Sequence, residues 1–362
     1  MSASAYDLAI LGAGPAGSAL ALRVARGGAS VLLVDRGNFE RPRFGETAPP
    51  SFRRAIAELE LDHILDTPRI SREASAVVSV WGQDEPMQRH HFVSPYSSAV
   101  HLDRQQFDRA LALEAGKAGA TVHLGTGVSV TADRGGDYVL QLRNGETERA
   151  RFLALAVGRS AGVGRFHQRR YHLNDHACLV GYLSGEPGDS RTLIEAVRDG
   201  WIYAAALPGQ RTVVALTTSA GMVPNSAEAR LSFWWKAIAR SLLIAPAVAG
   251  LSLAAGPFVV NSRASAARRV GGRTWCVLGD ARMAPDPLSG QGLLWALDDA
   301  ALVANCFLQS QADSIADKLK SRSQANLPDH CRAAASIYAI EQRFAGAPFW
   351  NNAITMPTSA RT

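Results

Sequence analysis

Gly12-Ala13-Gly14-Pro15-Ala16-Gly17 constrains this chain more than any other stretch. It follows the apolar run Tyr6–Leu11 and precedes helically spaced Ala16, Leu20 and Val24. A second apolar run, Ser30–Val34, then closes at Asp35. Strand, glycine turn, helix and strand make a βαβ unit, which needs a parallel sheet. Each glycine has a separate reason: Gly12 permits the tight turn, Gly14 lets the backbone approach a pyrophosphate, and Gly17 lets helix and strand pack closely. Pro15 suits the first helical turn, where no amide donor is lost. The free amides from Ala16 onward and the positive end of the helix dipole favour phosphate. Asp35 lies 18 residues beyond Gly17, near the spacing expected of the acid that holds a ribose hydroxyl. Arg36, beside it, is assigned to the same site. The motif alone does not separate one dinucleotide from another.

Composition narrows the rest. The chain has 362 residues, 47% hydrophobic and 19% charged, which is ordinary globular composition. A net charge of +6 favours anionic ligands or an acidic partner surface, and is too mild and dispersed to indicate nucleic acid. Cys178, Cys276, Cys306 and Cys331 form no Cys-x-x-Cys pair and read as reduced, buried thiols of a cytoplasmic protein, with no metal framework. No signal peptide is expected, because the first residues carry no basic segment and a strand pattern begins at Tyr6. Ser241 to Val260 carries no charge, but Pro246, Gly250, Gly256 and Pro257 interrupt it, so no membrane span is expected.

Along the chain, Ser51–Leu65, His101–Gly119, Ser226–Leu243 and Gly290–Gln309 read as helices. Ala74–Trp81 and Met87–Val93 read as paired strands. Asn144-Gly145 marks a hairpin. Ala177–Leu183, Thr192–Val197, Trp201–Leu207 and Thr212–Thr218 form a β-rich block, and Phe258–Val260 and Thr274–Leu278 are further strands. The expected fold is α/β: a discontinuous Rossmann-like FAD-binding domain (1–73, 97–165 and 262–310), an inserted β-sheet substrate domain (74–96 and 166–261), and a helical C-terminal segment (311–362).

FAD is preferred over NAD because of a second motif. Gly279-Asp280 ends a strand, and Pro285, Asp286-Pro287-Leu288-Ser289-Gly290-Gln291-Gly292 and a helix that includes Leu293 follow. A carboxylate at a strand end can accept hydrogen bonds from ribityl hydroxyls. A glycine-rich helix start can face a flavin pyrimidine ring and stabilise negative charge there. A chain that used NAD alone has no need of this second site.

On these residues the chain resembles the flavin-dependent aromatic hydroxylases of the p-hydroxybenzoate hydroxylase superfamily, in the branch that includes tryptophan halogenases. Arg43-Phe44-Gly45-Glu46 with Pro49-Pro50 resembles the Gly-Glu loop beside the isoalloxazine. Arg104, Phe107, Asp108 and Leu111 fit the Arg-x-x-Phe-Asp-x-x-Leu helix, whose arginine approaches FAD. Ala156-Val157-Gly158-Arg159-Ser160 fits an Ala-x-Gly-Arg-Ser strand end. The Asp-Gly pair of simple phenol hydroxylases is missing there, which leaves the electron source open between NAD(P)H and a separate flavin reductase. Gly200-Trp201-Ile202-Tyr203 resembles the tryptophan-bearing strand that shields the flavin. The lysine that binds hypohalous acid in halogenases has no counterpart between Glu46 and Lys117. The chain is also similar to small flavoproteins that mature quinone-cofactor amine oxidases and dehydrogenases, which implies an aromatic substrate: a tryptophan in a partner amine oxidase or dehydrogenase precursor.

The implied activity is that of an FAD-dependent monooxygenase. The alternatives are a flavin-dependent halogenase or reductase acting on a small molecule, and a non-catalytic flavoprotein chaperone of an amine oxidase. Glu46 is the expected active-site carboxylate, Pro287 shapes the flavin loop, and Gly290, Gln291 and Gly292 are expected near the flavin carbonyl. Candidates for a base that removes the ring proton are His90, His91, His176, Glu195 and Tyr203. Arg159, Arg165, Arg169 and Arg170 read as a solvated basic face. Trp234-Trp235 reads as core packing or the lining of a substrate entrance.

Overall fold

A computed structural model of the chain describes residues 5–90, 98–133, 136–160, 166, 169–185 and 190–351. The first βαβ unit forms as its periodicity requires. Strands Tyr6–Leu11 and Val31–Val34 pair in parallel, with Leu8 opposite Val31 and Leu11 opposite Val34. Thr147–Leu155 flanks Tyr6–Leu11 on its other side, also in parallel, followed by Trp275–Val277. Thr121–His123 extends the sheet beyond Val34. All four residues of Val31–Val34 are buried, as expected of a parallel strand covered on both faces. Helices Pro15–Arg26 and Gly292–Leu308 pack together. Tyr138–Leu142 and Val128–Ala132 add an antiparallel arm.

A second, seven-stranded sheet comprises Ser252–Asn261, His176–Ser184, Arg211–Ser219, Gly200–Leu207, Thr192–Val197, Ala76–Val80 and Met87–His90, in that spatial order. Period-two alternation sorts its side chains. Leu179, Leu183, Ile202, Ala204, Val214 and Leu216 pack against Trp234 of the helix Ala227–Ala239. Cys178, Val180, Tyr182, Ala205 and Leu207 form the opposite face, against which Phe44 and Tyr203 pack. The first-domain loop therefore meets the inserted sheet there.

Four differences from the expected elements have local causes. His101 lies on strand Ala99–Leu102, because Asp103 accepts from the Gln106 amide at 3.1 Å and starts the helix at Arg104. Ser51–Leu65 is two helices, Ser51–Ala57 and Asp62–Leu65, separated where Glu60 takes φ 56°. Ser226–Leu243 is likewise shortened to Ala227–Ala239 and followed by the separate turn Ile244–Ala247. The strand expected at Phe258–Val260 extends over Ser252–Asn261 as an edge strand. The C-terminal part contains the helix Ile315–Ile340 and a single turn, Pro348–Asn351. Among the described residues no helix is long and apolar enough to cross a membrane.

Candidate active site

The first glycine turn is built for backbone contact. Gly12 has φ 108°, and a Cβ there would stand 2.3 Å from the Ala156 carbonyl oxygen. A Cβ on Gly17 would lie 1.9 Å from the Gly12 oxygen. Gly14, which caps Pro15–Arg26, is different: its nearest neighbour would be the Arg43 guanidinium at 3.9 Å. Asp35 accepts from the Ala13 and Gly37 amides, each at 2.7 Å. Arg43 reaches Asp108 at 3.1 Å, lies 3.7 Å from Asp35, and covers the Phe39 ring. Arg36 is exposed. This cradle, with open space over Gly14 and a carboxylate at the strand end, fits the adenosine diphosphate half of a dinucleotide.

The second motif packs against the first. A Cβ on Gly279 would meet Ala16 at 2.8 Å. Asp280 pairs with Arg159 at 3.1 Å, and Arg170 donates to the Asp280 and Ala281 carbonyls at 2.8 and 2.6 Å. Arg159 and Arg170 thus turn inward, unlike the solvated face expected; Arg169 is exposed. Gly158 has φ 65° with open space beside it. Gly290 takes φ 61° after the short turn Pro287–Ser289 and is exposed; Gln291 and Gly292 begin the next helix, and Leu293 is buried beneath it. Asp286 holds that turn from behind. It accepts from the Leu288 amide, Asn174 and Tyr338, while its own amide donates to His330 Nε2. Trp201 donates its indole N–H to Tyr338 at 3.0 Å.

Glu46 is 5% exposed, between the two parts of the molecule. It accepts from the Gly45 amide and from the Tyr182 hydroxyl, both at 2.9 Å. Burial pushes its pKa above the ordinary 4.5, against the opposing pull of Tyr182, Gly45 and Arg104. Arg104 donates to the Phe44 and Gly45 carbonyls at 2.7 and 3.1 Å and forks onto Asp108. Burial works against the Arg104 charge, but Asp108, Glu46 and Asp280 outweigh it and raise its pKa. Tyr203 bonds to Thr47 at 2.6 Å, and burial followed by the nearby Glu46 raises its pKa. Tyr182 was not among the sequence candidates. The alternation that put it on one face with Cys178 and Val180 was the available signal.

Glu46, Tyr203, Gly45, Arg43 and Arg104 thus converge, and Gly12 to Gly17 lie beside Gly279 and Asp280. Glu195 does not join them: it accepts from the Leu242, Leu243 and Ile244 amides and caps the turn that follows, which is a structural role. Trp234 is core, wholly buried against Gly181. His91 and Arg165 lie outside the described residues. Among the described residues no group of three potential metal ligands occurs.

Comparison with known proteins gives the family and the fold. Residues 75–362 match the family described as tryptophan halogenase. The chain is 24% identical over 359 residues to LodB of Marinomonas mediterranea, covering 95% of this chain and 96% of that one. The myxobacterial chondrochloren halogenase CndH superposes with TM-score 0.85 at 22% identity, over 99% of this chain and 88% of that one. The peptidyl tryptophan dihydroxylase QhpG, essential for tryptophylquinone cofactor biogenesis, superposes with TM-score 0.76 at 27% identity, over 96% and 78%.

Proposed function

The chain belongs to the tryptophan halogenase family and is an FAD-dependent oxidoreductase that modifies aromatic rings; from that premise we propose that it hydroxylates a tryptophan side chain of a partner protein during quinone-cofactor maturation. The observation that carries this reading concerns lysine. Lys117 bonds to Glu114 on the far end of its helix, and Lys318 bonds to Cys306 and Gln311. Lys236 and Lys320 lie on the helices Ala227–Ala239 and Ile315–Ile340. None of the four belongs to the cluster around Glu46, so hypohalous acid has no amine there to capture it. The likeness to the peptidyl tryptophan dihydroxylase supports a protein-borne ring as substrate.

Residues 1–73, 97–165 and 262–310 form the FAD-binding part in this reading, with 74–96 and 166–261 presenting the substrate. Gly12, Gly14, Pro15, Ala16, Gly17, Asp35, Arg36 and Arg43 hold the adenosine diphosphate half. Gly45, Arg104, Gly158, Gly279, Asp280, Gly290, Gln291, Gly292 and Leu293 surround the flavin half. Bound reduced FAD supplies activated oxygen for insertion into an electron-rich ring. Glu46 Oε1, positioned by Tyr182, takes up the proton that the ring loses. The partly buried Tyr203 excludes water from that contact, and Pro287 shapes the turn that faces the flavin. Electrons come from a separate flavin reductase or from NAD(P)H.

The test supplies FAD, a flavin reductase with NADH, oxygen and bromide together with tryptophan-bearing polypeptides, including an amine dehydrogenase precursor. The product's mass is then read. Addition of oxygen to tryptophan is expected. A bromide-dependent mass gain would overturn the lysine argument.

A further inference from the structure

Two arginines converge on Asp280, in the turn that follows the strand Trp275–Val277. Arg170 holds the main chain there, donating to the Asp280 and Ala281 carbonyls at 2.8 and 2.6 Å. Arg159 holds the side chain, with its Nε 3.1 Å from Asp280 Oδ2. The other two nitrogens of Arg159 are engaged as well. Nη2 donates to the Pro285 carbonyl at 3.1 Å, and Nη1 donates to the Arg263 carbonyl. Pro285 directly precedes Asp286, which holds the turn Pro287–Ser289. Arg263 lies just past the edge strand Ser252–Asn261. One planar guanidinium therefore ties together the strand end, the approach to the flavin turn and the return from the inserted sheet. A lysine could not do this, because its ammonium is a single point of charge on a flexible stem.

The same contacts divide the labour between the two oxygens of Asp280. Oδ2 is the atom that Arg159 engages. Oδ1 faces the start of the helix Gly292–Leu308: a Cβ on Gly292 would lie 3.9 Å from it. The Asp280 side chain keeps 30% of its surface exposed, so a ligand can reach it. An ion pair this open adds little to stability by itself. What Arg159 fixes is the direction of the carboxylate.

We propose that Arg159 is a positioning residue for the cofactor: by holding Asp280 Oδ2 it presents Oδ1, beside Gly292, to a hydroxyl of the ribityl chain. The proposal rests on the assignment of Asp280 to the flavin half. A hydroxyl donates along one direction, so a carboxylate free to rotate binds it less well than one held in place. The role belongs to the fork of the guanidinium and not to its charge alone.

The full chain, freed of flavin, is titrated with FAD and with ADP by calorimetry. ADP lacks the ribityl and flavin groups and has nothing to offer Asp280, so its binding reports an intact first glycine turn. Arg159→Met should weaken FAD binding about tenfold and leave ADP binding unchanged. Arg159→Lys keeps the charge and loses the fork, and should weaken FAD binding as much; full rescue by lysine overturns the proposal. Asp280→Ala sets the scale. If it weakens FAD no more than ADP, the assignment of Asp280 falls and the proposal with it. If Asp280→Ala weakens FAD selectively and Arg159→Met does not, the positioning role alone falls. Arg159→Met/Asp280→Ala should bind FAD no more weakly than Asp280→Ala, because the arginine acts through the carboxylate; additive losses overturn that route. Where Arg159→Met loses ADP binding as well, Arg159→Lys carries the comparison, and equal loss of both ligands there overturns the proposal. No turnover is read, so the hydroxylation reading stands or falls separately.

Discussion

Gly12 and Gly14 are two residues apart and carry different burdens. A methyl group on Gly12 collides with the Ala156 carbonyl and must also adopt φ 108°. Gly12→Ala should therefore destabilise the protein by about 2–4 kcal/mol in urea unfolding, with or without FAD. Gly14 has φ −75° and open space beside it, so Gly14→Ala should leave the apoprotein's unfolding midpoint unchanged. It should instead weaken FAD binding by roughly tenfold or more, because the methyl group occupies the approach of the pyrophosphate. Tyr182 separates in the same way into a chemical role. Its hydroxyl lowers the pKa of Glu46 against the larger effect of burial. Because the folded-state pKa of Glu46 is raised, its contribution to stability is full below 4.5 and is lost as pH rises through the folded value. Tyr182→Phe moves that folded value higher still. If Glu46 acts as a carboxylate, the acid limb of the pH–rate profile should shift to higher pH in Tyr182→Phe, and an unmoved limb would remove Glu46 from the proton path.

At the scale of elements, the sequence was most legible where one periodicity ran without competition. The βαβ unit and the four antiparallel strands from His176 to Ser219 were readable because their apolar spacing is regular. Boundaries were lost where a side chain outbid the pattern, as Asp103 does in ending the strand that carries His101. The nucleotide turn was legible because its residues are contiguous. The support behind the flavin loop was not, since Asp286 draws on Asn174, His330 and Tyr338 from three distant parts of the chain. Local spacing contains no trace of such a meeting. The meeting is nonetheless energetic. Tyr338→Phe leaves the Trp201 indole N–H without its acceptor and removes one donor from Asp286. A loss of about 2–3 kcal/mol is expected in equilibrium unfolding, with a smaller loss in FAD affinity. A change below about 0.5 kcal/mol would mean that water replaces the hydroxyl.

For the whole molecule, the C-terminal helix Ile315–Ile340 is an element that touches both the nucleotide part and the inserted sheet. Ser323 bonds to the buried Arg282, whose other partner Asp299 holds the Gly279 amide of the nucleotide part. Further along, Cys331 packs with Leu173 and Ala264, and Tyr338 meets Trp201 of the inserted sheet. The four cysteines happen to sample every region: Cys178 in the inserted sheet, Cys276 in the nucleotide sheet, Cys306 on Gly292–Leu308 and Cys331 on the C-terminal helix. All four are buried and free. Burial also suppresses the thiolate, pushing Cys178 up to about 12 and Cys276 higher again. Native protein should accordingly react negligibly with a thiol reagent at neutral pH. Under pulsed labelling across a urea series, all four should become reactive in one transition, because opening either sheet must first break the contacts of the shared helix. Reaction of Cys178 at lower urea than Cys276 would show instead that the inserted sheet opens by itself, and that the C-terminal helix belongs energetically to the nucleotide part alone.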